Sequence, residues 1–470
     1  MAKKEKTEFE LMKEKLFYER KNALQDINTK EEKDIEAFSK DYKKFLDLAK
    51  TEREACTYAI EIAKKNGFEE FKYGKKYSAG DKIYFDNRKK SIYLAVIGSE
   101  NIENGINIAA AHIDSPRIDL KQCPVYEDAG MAFFKTHYYG GIKKYQWTTI
   151  PLALHGVVVL KDGTSVDICI GEKESDPVFC ITDLLPHLGA DQMAKTASKL
   201  FSGENLNILI GSKPYGGEKQ KDAIKLNVLA ILNKEYGIVE EDFLSAELSL
   251  VPAEKARDLG FDRSMISAYG HDDKCCSYPI LMAAIEAGKK TPKNTLITIL
   301  ADKEETGSEG TTGMKTRAFD DMICEICDNM GANSRIAFAN SKCLSADVNA
   351  CYDPNYAEVY EAKNSAFLNC GVCVTKFTGA RGKSSTNDAS AEFLATVRKM
   401  LDDAGVIWQT GELGKVDQGG GGTVAMYLAK RNIDTVDVGV PVLSMHAPYE
   451  VISKADLYSA FLAFKAFFAN

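Results

Sequence analysis

Only six histidines occur in the 470 residues, and two of them, His112 and His446, close the apolar runs INIAAAH and VGVPVLSMH. Two positions after His112 stands Asp114; alternate residues of a strand point the same way, and a carboxylate beside a liganding imidazole fixes its tautomer and raises its basicity. Three more clusters follow the same plan: Asp272-Asp273-Lys274, Asp302-Lys303-Glu304-Glu305 behind NTLITIL, and Asp347 behind CLSA. Adjacent carboxylates such as Glu304 and Glu305 repel one another unless a cation or a shared proton compensates. A metal accounts for the pair: one glutamate binds it and the other accepts a proton from bound water. Asp347 would be buried without a partner behind its apolar approach. Asp272 opens a helix, where a carboxylate also serves as an ordinary N-cap.

Five ligands of nitrogen and oxygen type, without thiolates, suit zinc, with cobalt or manganese also accepted. Paired catalytic ions lie about 3.5–4 Å apart, need one bridging carboxylate and leave a position for water. His446 with one carboxylate, His112 with another and a bridging aspartate satisfy that requirement.

The clusters must be positioned by elements, and the pattern predicts which. After His271 the chain alternates helix and strand, from DKCCSYPILMAAIEAG through NTLITILAD, TRAFDDMICEICDN, CLSADVN and NDASAEFLATVRKML to DTVDVGVPVLSMH. Alternation of this kind predicts an α/β fold, a central mixed sheet flanked by helices. INIAAAHID reads as a strand of the same sheet, and in open sheets sites assemble outside the carboxyl ends of strands. Between about Pro116 and Gly260 the pattern changes to aromatic, alternating segments with one helix candidate near Met193. The expected organisation is a catalytic domain of residues 1–115 plus 261–470, interrupted by a mostly β insertion of 116–260.

Composition narrows the partners. Sixty basic against 68 acidic residues leave a net charge of −8, which offers no field for nucleic acid or anionic lipid. No run of about 18 apolar residues predicts a membrane span. The charged start MAKKEKTEFE lacks a signal-like core, and with 12 cysteines it predicts reduced thiols and a cytoplasmic location. Two CxxC pairs, Cys324/Cys327 and Cys370/Cys373, fall in a helix-like and a strand-like stretch. They read as buried small hydrophobes rather than a zinc knuckle.

In order along the chain, AAHIDSPRIDLK, THYYGG, DLLPHL, GHDDKCC, DKEETGSEG, SADVNACYDPNY and SMHAPYE resemble the aminopeptidase I and aspartyl aminopeptidase family of dinuclear zinc exopeptidases. The resemblance implies terminal metal ligands at His112, Glu305, Asp347 and His446, with Asp272 as the bridge. It implies Glu304 as general base and Asp114 as the group that orients His112. The implied reaction is attack on the first peptide carbonyl by a hydroxide held by two zinc ions, Glu304 passing the proton to the leaving amine. His187 of DLLPHL matches a histidine that reaches a neighbouring subunit's site, where it could polarise an oxyanion; the family assembles as a homododecamer in which the β insertion makes the dimer contacts.

Departures bear on specificity. The stretch QWTTIPLALHG is apolar where the aspartyl branch is acidic and carries arginine. Arg381 and Lys383 of TGARGKSS are the candidate basic pocket residues, with a solvated loop as the alternative. Gly420 and Gly421, within Gly419–Gly422, could present backbone amides to a substrate carboxylate or carbonyl, or simply form a turn into a helix. These departures favour peptides with neutral or varied N-terminal residues over acidic ones. A related dinuclear zinc amidase, deacylase or carboxypeptidase is the competing enzyme reading. A shell-forming assembly protein would need lost ligands, and none is missing.

Overall fold

The structure, a computed structural model, describes residues 6–25, 27–217 and 220–470. Its centre is a nine-stranded sheet in the order Glu69–Glu70, Lys82–Asn87, Ser91–Val96, Thr295–Ala301, Ile106–His112, Lys342–Ser345, Asp434–Gly439, Val372–Thr375 and Trp408–Thr410. The four middle strands, from Thr295–Ala301 to Asp434–Gly439, are mutually parallel. Ser91–Val96 joins one side of them antiparallel and Val372–Thr375 the other. The sheet is therefore mixed.

Alternation along the central strand decides the layering. Ala109 and Ala111 of Ile106–His112 belong to a core shared with the helices Thr29–Leu48, Glu52–Lys65, His271–Ala287 and Lys454–Ala469. Ile108 and Ala110 face the opposite core, packed by the helices Ala318–Met330 and Ser334–Asn340. Both faces are thus covered by helices, and every residue of Ile106–His112 is buried. That double burial explains why the strand reads as a continuous apolar run.

A second, seven-stranded sheet is built from segments between Arg117 and Pro252, with its own core around Trp147, Phe134 and Leu250. The helix Ala223–Tyr236 packs on it, an element the sequence reading did not anticipate; it expected one helix near Met193, where only the short Ala190–Met193 occurs. AIKLNVLAILNKEY is apolar nearly all round, so no polar stripe marks it as a surface helix.

A third sheet of five short strands joins Arg257–Leu259, Met265–Ala268, Glu450–Ser453, Pro441–Leu443 and Asn349–Ala350. The run DTVDVGVPVLSMH, expected as one strand, is divided here: Asp434–Gly439 lies in the nine-stranded sheet and Pro441–Leu443 in the five-stranded one. Proline lacks the N–H that a central ladder needs, and the chain changes sheets at Pro441. His446 consequently sits in the turn beyond, at φ 65°. Among the described residues no helix is long and apolar enough to cross a membrane. All 12 cysteines are free thiols; Cys327 lies on the helix Ala318–Met330 and Cys373 on the strand Val372–Thr375.

Candidate metal centre

The carboxyl ends of the parallel strands converge on one buried cluster. His112 ends its strand; Asp347 lies two residues past Lys342–Ser345; Glu304 and Glu305 form the turn after Thr295–Ala301. Asp272 follows Met265–Ala268, and its backbone (φ −76°, ψ 112°) has the extended shape a helix cap allows. Its carboxylate, however, lies between two imidazoles: Oδ1 is 3.1 Å from His112 Nε2 and Oδ2 is 3.2 Å from His446 Nε2. Asp347 stands 3.7 Å from His112 Nε2, and Glu305 stands 3.6 Å from His446 Nε2. Ligand atoms of His112, Asp272 and Glu305 lie within 4.8 Å of one another, as do those of His112, Glu304 and Asp347.

The outer contacts hold these groups in place. Asp114, fully buried, accepts from the amides of Glu304 (3.1 Å) and Glu305 (3.2 Å) and from the Tyr139 hydroxyl (2.6 Å). Its carboxylate was expected to orient His112. That contact is made chiefly by the Asp114 carbonyl oxygen, 3.0 Å from His112 Nδ1, with the carboxylate at 3.4 Å. The carboxylate is turned towards the Glu304-Glu305 turn, which offers it two donors. His446 is held similarly, its Nδ1 at 2.8 Å from the Gly141 carbonyl. A Cβ on Gly140 would come within 3.3 Å of Glu305 Oε2, so the glycines of THYYGG let the backbone approach the cluster.

Burial and crowding of charge set the electrostatics of the cluster. Burial, then the Asp347 charge, pushes Glu304 up to about 8. Burial, then Asp272, raises Glu305 well above the carboxylate range, and burial raises Asp347. Burial disfavours a charged His112, but hydrogen bonds to Asp114, Asp272 and Asp347 outweigh it and hold the ring well above its usual value. The same balance, with Asp272 as its main partner, puts His446 at about 10. So many acids in one dry place need positive charge. Glu305 Oε1 is in addition buried with no hydrogen-bond partner among the described residues. An orphaned carboxylate oxygen, a carboxylate shared by two imidazoles and an all N/O donor set fit divalent cations.

Not every expected residue joins the cluster. His187 sits in the exposed turn Pro186–Leu188 and takes no part in these contacts. Lys383 is exposed; its ammonium lies 3.0 Å from Asp388 and stacks on Phe377. Arg381 and Gly420 line a recess of about 30 Å³. Gly421 donates its amide to the Thr378 carbonyl at 2.9 Å, and a Cβ on Gly420 would lie 2.5 Å from Ala380 Cα. The glycine run thus packs closely against the 378–380 loop, and Lys383 is engaged by Asp388. Sequence reasoning passed over Tyr139 and Glu450. Tyr139 lies within THYYGG, but nothing in its type marks a partner for Asp114.

An open mixed sheet with imidazoles and carboxylates gathered at its carboxyl edge is the framework of a metal-dependent hydrolase. The chain belongs to the aminopeptidase I zinc metalloproteases of family M18, the family matching residues 45–468. It is 49% identical over 463 residues to the probable M18 family aminopeptidase 1 of Clostridium acetobutylicum, covering 97% of this chain and 99% of that one. The crystal structure of an M18 aminopeptidase from Thermotoga maritima matches with a TM-score of 0.91 and 45% identity, over 96% of this chain and 99% of that one. The mApe1 dodecamer of S. cerevisiae shares the fold at 20% identity, with a TM-score of 0.76 over 93% of this chain and 97% of that one. This protein is a metalloaminopeptidase of a zinc-dependent family.

Proposed function

We propose that the protein removes N-terminal residues from peptides through two zinc ions per chain. His112 and Asp347 would hold one ion, His446 and Glu305 the other, and Asp272 both. The observation that carries this reading is the placement of the two Asp272 oxygens, each on a different imidazole. Bound cations at this position would acidify water and polarise a peptide carbonyl.

Glu304 is the base: it borders the ligand cluster beside His112 and Asp347, where a carboxylate can take a proton from water and return it to the leaving amine. Asp114 holds the amides of the Glu304-Glu305 turn, so the base keeps its distance from the ligands. Lys383 is engaged by Asp388 at 3.0 Å, which supports a neutral or varied N-terminal preference. The exposed His187 turn supports a role at a neighbouring subunit's site. We also propose the residues 116–260 as the dimerising domain set into a catalytic domain of 1–115 and 261–470. The shared fold of the yeast dodecamer supports a homododecamer, and the cytoplasm is the proposed location.

The test is metal analysis beside peptide hydrolysis. Purified protein should carry two zinc ions per chain and release the first residue of a free-amine peptide, leaving its N-acetylated counterpart intact. One ion per chain, or equal cleavage of both peptides, would refute the proposal.

A further inference from the structure

We propose that Glu450 is a positioning residue of the metal centre, its carboxylate setting the distance between Asp272 and His446. This rests on the metal reading above, and it concerns a residue that coordinates nothing in that reading. Glu450 is 1% exposed, and both of its oxygens are engaged by the backbone of the site. Oε2 accepts from the Asp272 amide at 3.0 Å and Oε1 from the His446 amide at 2.8 Å.

Its place in the fold makes this contact unavoidable. Glu450 opens the strand Glu450–Ser453 and is paired directly with Ala268, the last residue of the strand that leads into Asp272. On its other side Glu450–Ser453 pairs with Pro441–Leu443, and His446 lies in the connection between those two strands. One side chain therefore stands between two segments that no ladder joins to each other. The carbonyl of Asp272 is held as well, by Ser115 Oγ at 2.8 Å, and Ser115 in turn accepts from the buried Lys274 ammonium at 2.7 Å. Both backbone groups of Asp272 are fixed, which fixes where its side chain leaves the chain.

Chemistry singles out a carboxylate for this post. Two amides point at one side chain, so two acceptors and no donor are required. Glutamine has one acceptor and would turn its NH2 against the second amide. An apolar residue would leave both buried donors unsatisfied. The arrangement is the counterpart of Asp114, which accepts from the amides of Glu304 and Glu305. Between them the two acids hold the backbone of four residues of the cluster.

Outer-shell partners of metal ligands typically change affinity by about 10–100-fold when removed, and a misplacement of about 1 Å can cost 100-fold in rate. The experiment uses the full chain, stripped of metal and titrated with zinc against a chromophoric chelator. It is run on the unaltered protein, Glu450→Gln and Glu450→Asp, with circular dichroism and metal-free Tm on each. Glu450→Gln should bind zinc about 10–100-fold more weakly and lose kcat with little change in KM. Glu450→Asp, which keeps the charge but reaches only one amide, should fall between. A role confined to general stability would lower the metal-free Tm yet leave zinc affinity and the kcat/KM split of the folded fraction unmoved. Zinc affinity and kcat within about twofold of the unaltered protein would overturn the proposal. Should Glu450→Gln not fold, Glu450→Asp decides by the same readings, unchanged affinity overturning it. Unaltered protein that takes up no zinc would instead refute the metal reading, and this proposal with it.

Discussion

Glu304 and Glu305 are neighbours in sequence and differ in what they touch. Glu305 lies 3.6 Å from His446 and has a buried oxygen without a partner among the described residues; Glu304 approaches His112 and Asp347. Replacing each by glutamine should separate the two roles. Glu304→Gln is expected to keep its metal and lose about 10²–10⁴-fold in kcat, the range of a lost general base. Glu305→Gln should lose metal first, with activity partly restored by excess zinc. Zinc titration and steady-state kinetics on both variants check this. Equal metal affinity in the two would contradict the assignment. The residue types were legible, because adjacent acids behind an apolar strand are conspicuous. Which acid does what was not legible, since that depends on which way each side chain leaves a 3-10 turn.

At the level of elements, the site depends on strands that approach closely at their carboxyl ends. Gly439 ends the strand Asp434–Gly439, and a Cβ there would lie 1.7 Å from the carbonyl oxygen of Asp347. Backbone cannot yield as a flexible side chain does. Gly439→Ala should therefore displace Asp347, cost about 1–3 kcal/mol as overpacking does, and weaken zinc binding besides. Urea unfolding with zinc titration measures both; a stable variant of normal affinity would show that the neighbouring strands adapt. The helix Ala391–Asp403 could be read from periodicity and the strand Ile106–His112 from its short apolar run. The break at Pro441 and the helix Ala223–Tyr236 could not, one because the apolar run is continuous across two sheets, the other because its polar face is missing.

For the whole molecule, the junction between the large sheet and the seven-stranded one rests on a charged cluster. His155, on the strand Leu152–Val159, is 2% exposed and lies 2.7 Å from Glu54 and 3.0 Å from Glu172; Lys50 completes the group at 2.7 Å from Glu172. Burial opposes protonation of His155, but contacts with Cys169, Glu172 and Glu54 raise it to about 11, while burial notwithstanding its ring lowers both glutamates. The signs follow: the His155 contribution is complete below its unfolded value of 6.5 and is lost as pH climbs towards about 11. The glutamate contributions are complete above 4.5 and fade as pH falls below it. The stability difference between the unaltered protein and His155→Gln should thus peak at pH about 5–6, on the order of 3 kcal/mol for a broken buried pair, and shrink steadily on the alkaline side. Urea unfolding of both metal-loaded proteins at pH 6 and 9 would show it; a difference that does not shrink would place the positive charge elsewhere.

The order of residue types along the chain determined a good deal unaided: helices and strands in alternation, acids and histidines behind apolar runs, and motifs that place the chain in its family. These properties are local, set by neighbours two to four positions away. Tertiary structure alone decided that Asp272 is shared by two imidazoles, that Asp114 turns its carboxylate to a neighbouring turn, and that Glu450 spans the gap between Asp272 and His446. Those facts depend on strand register and on the meeting of residues such as His112 and Asp272, 160 positions apart. Pairings across such distances are selected by the packing of the entire core, and no short stretch of sequence carries them.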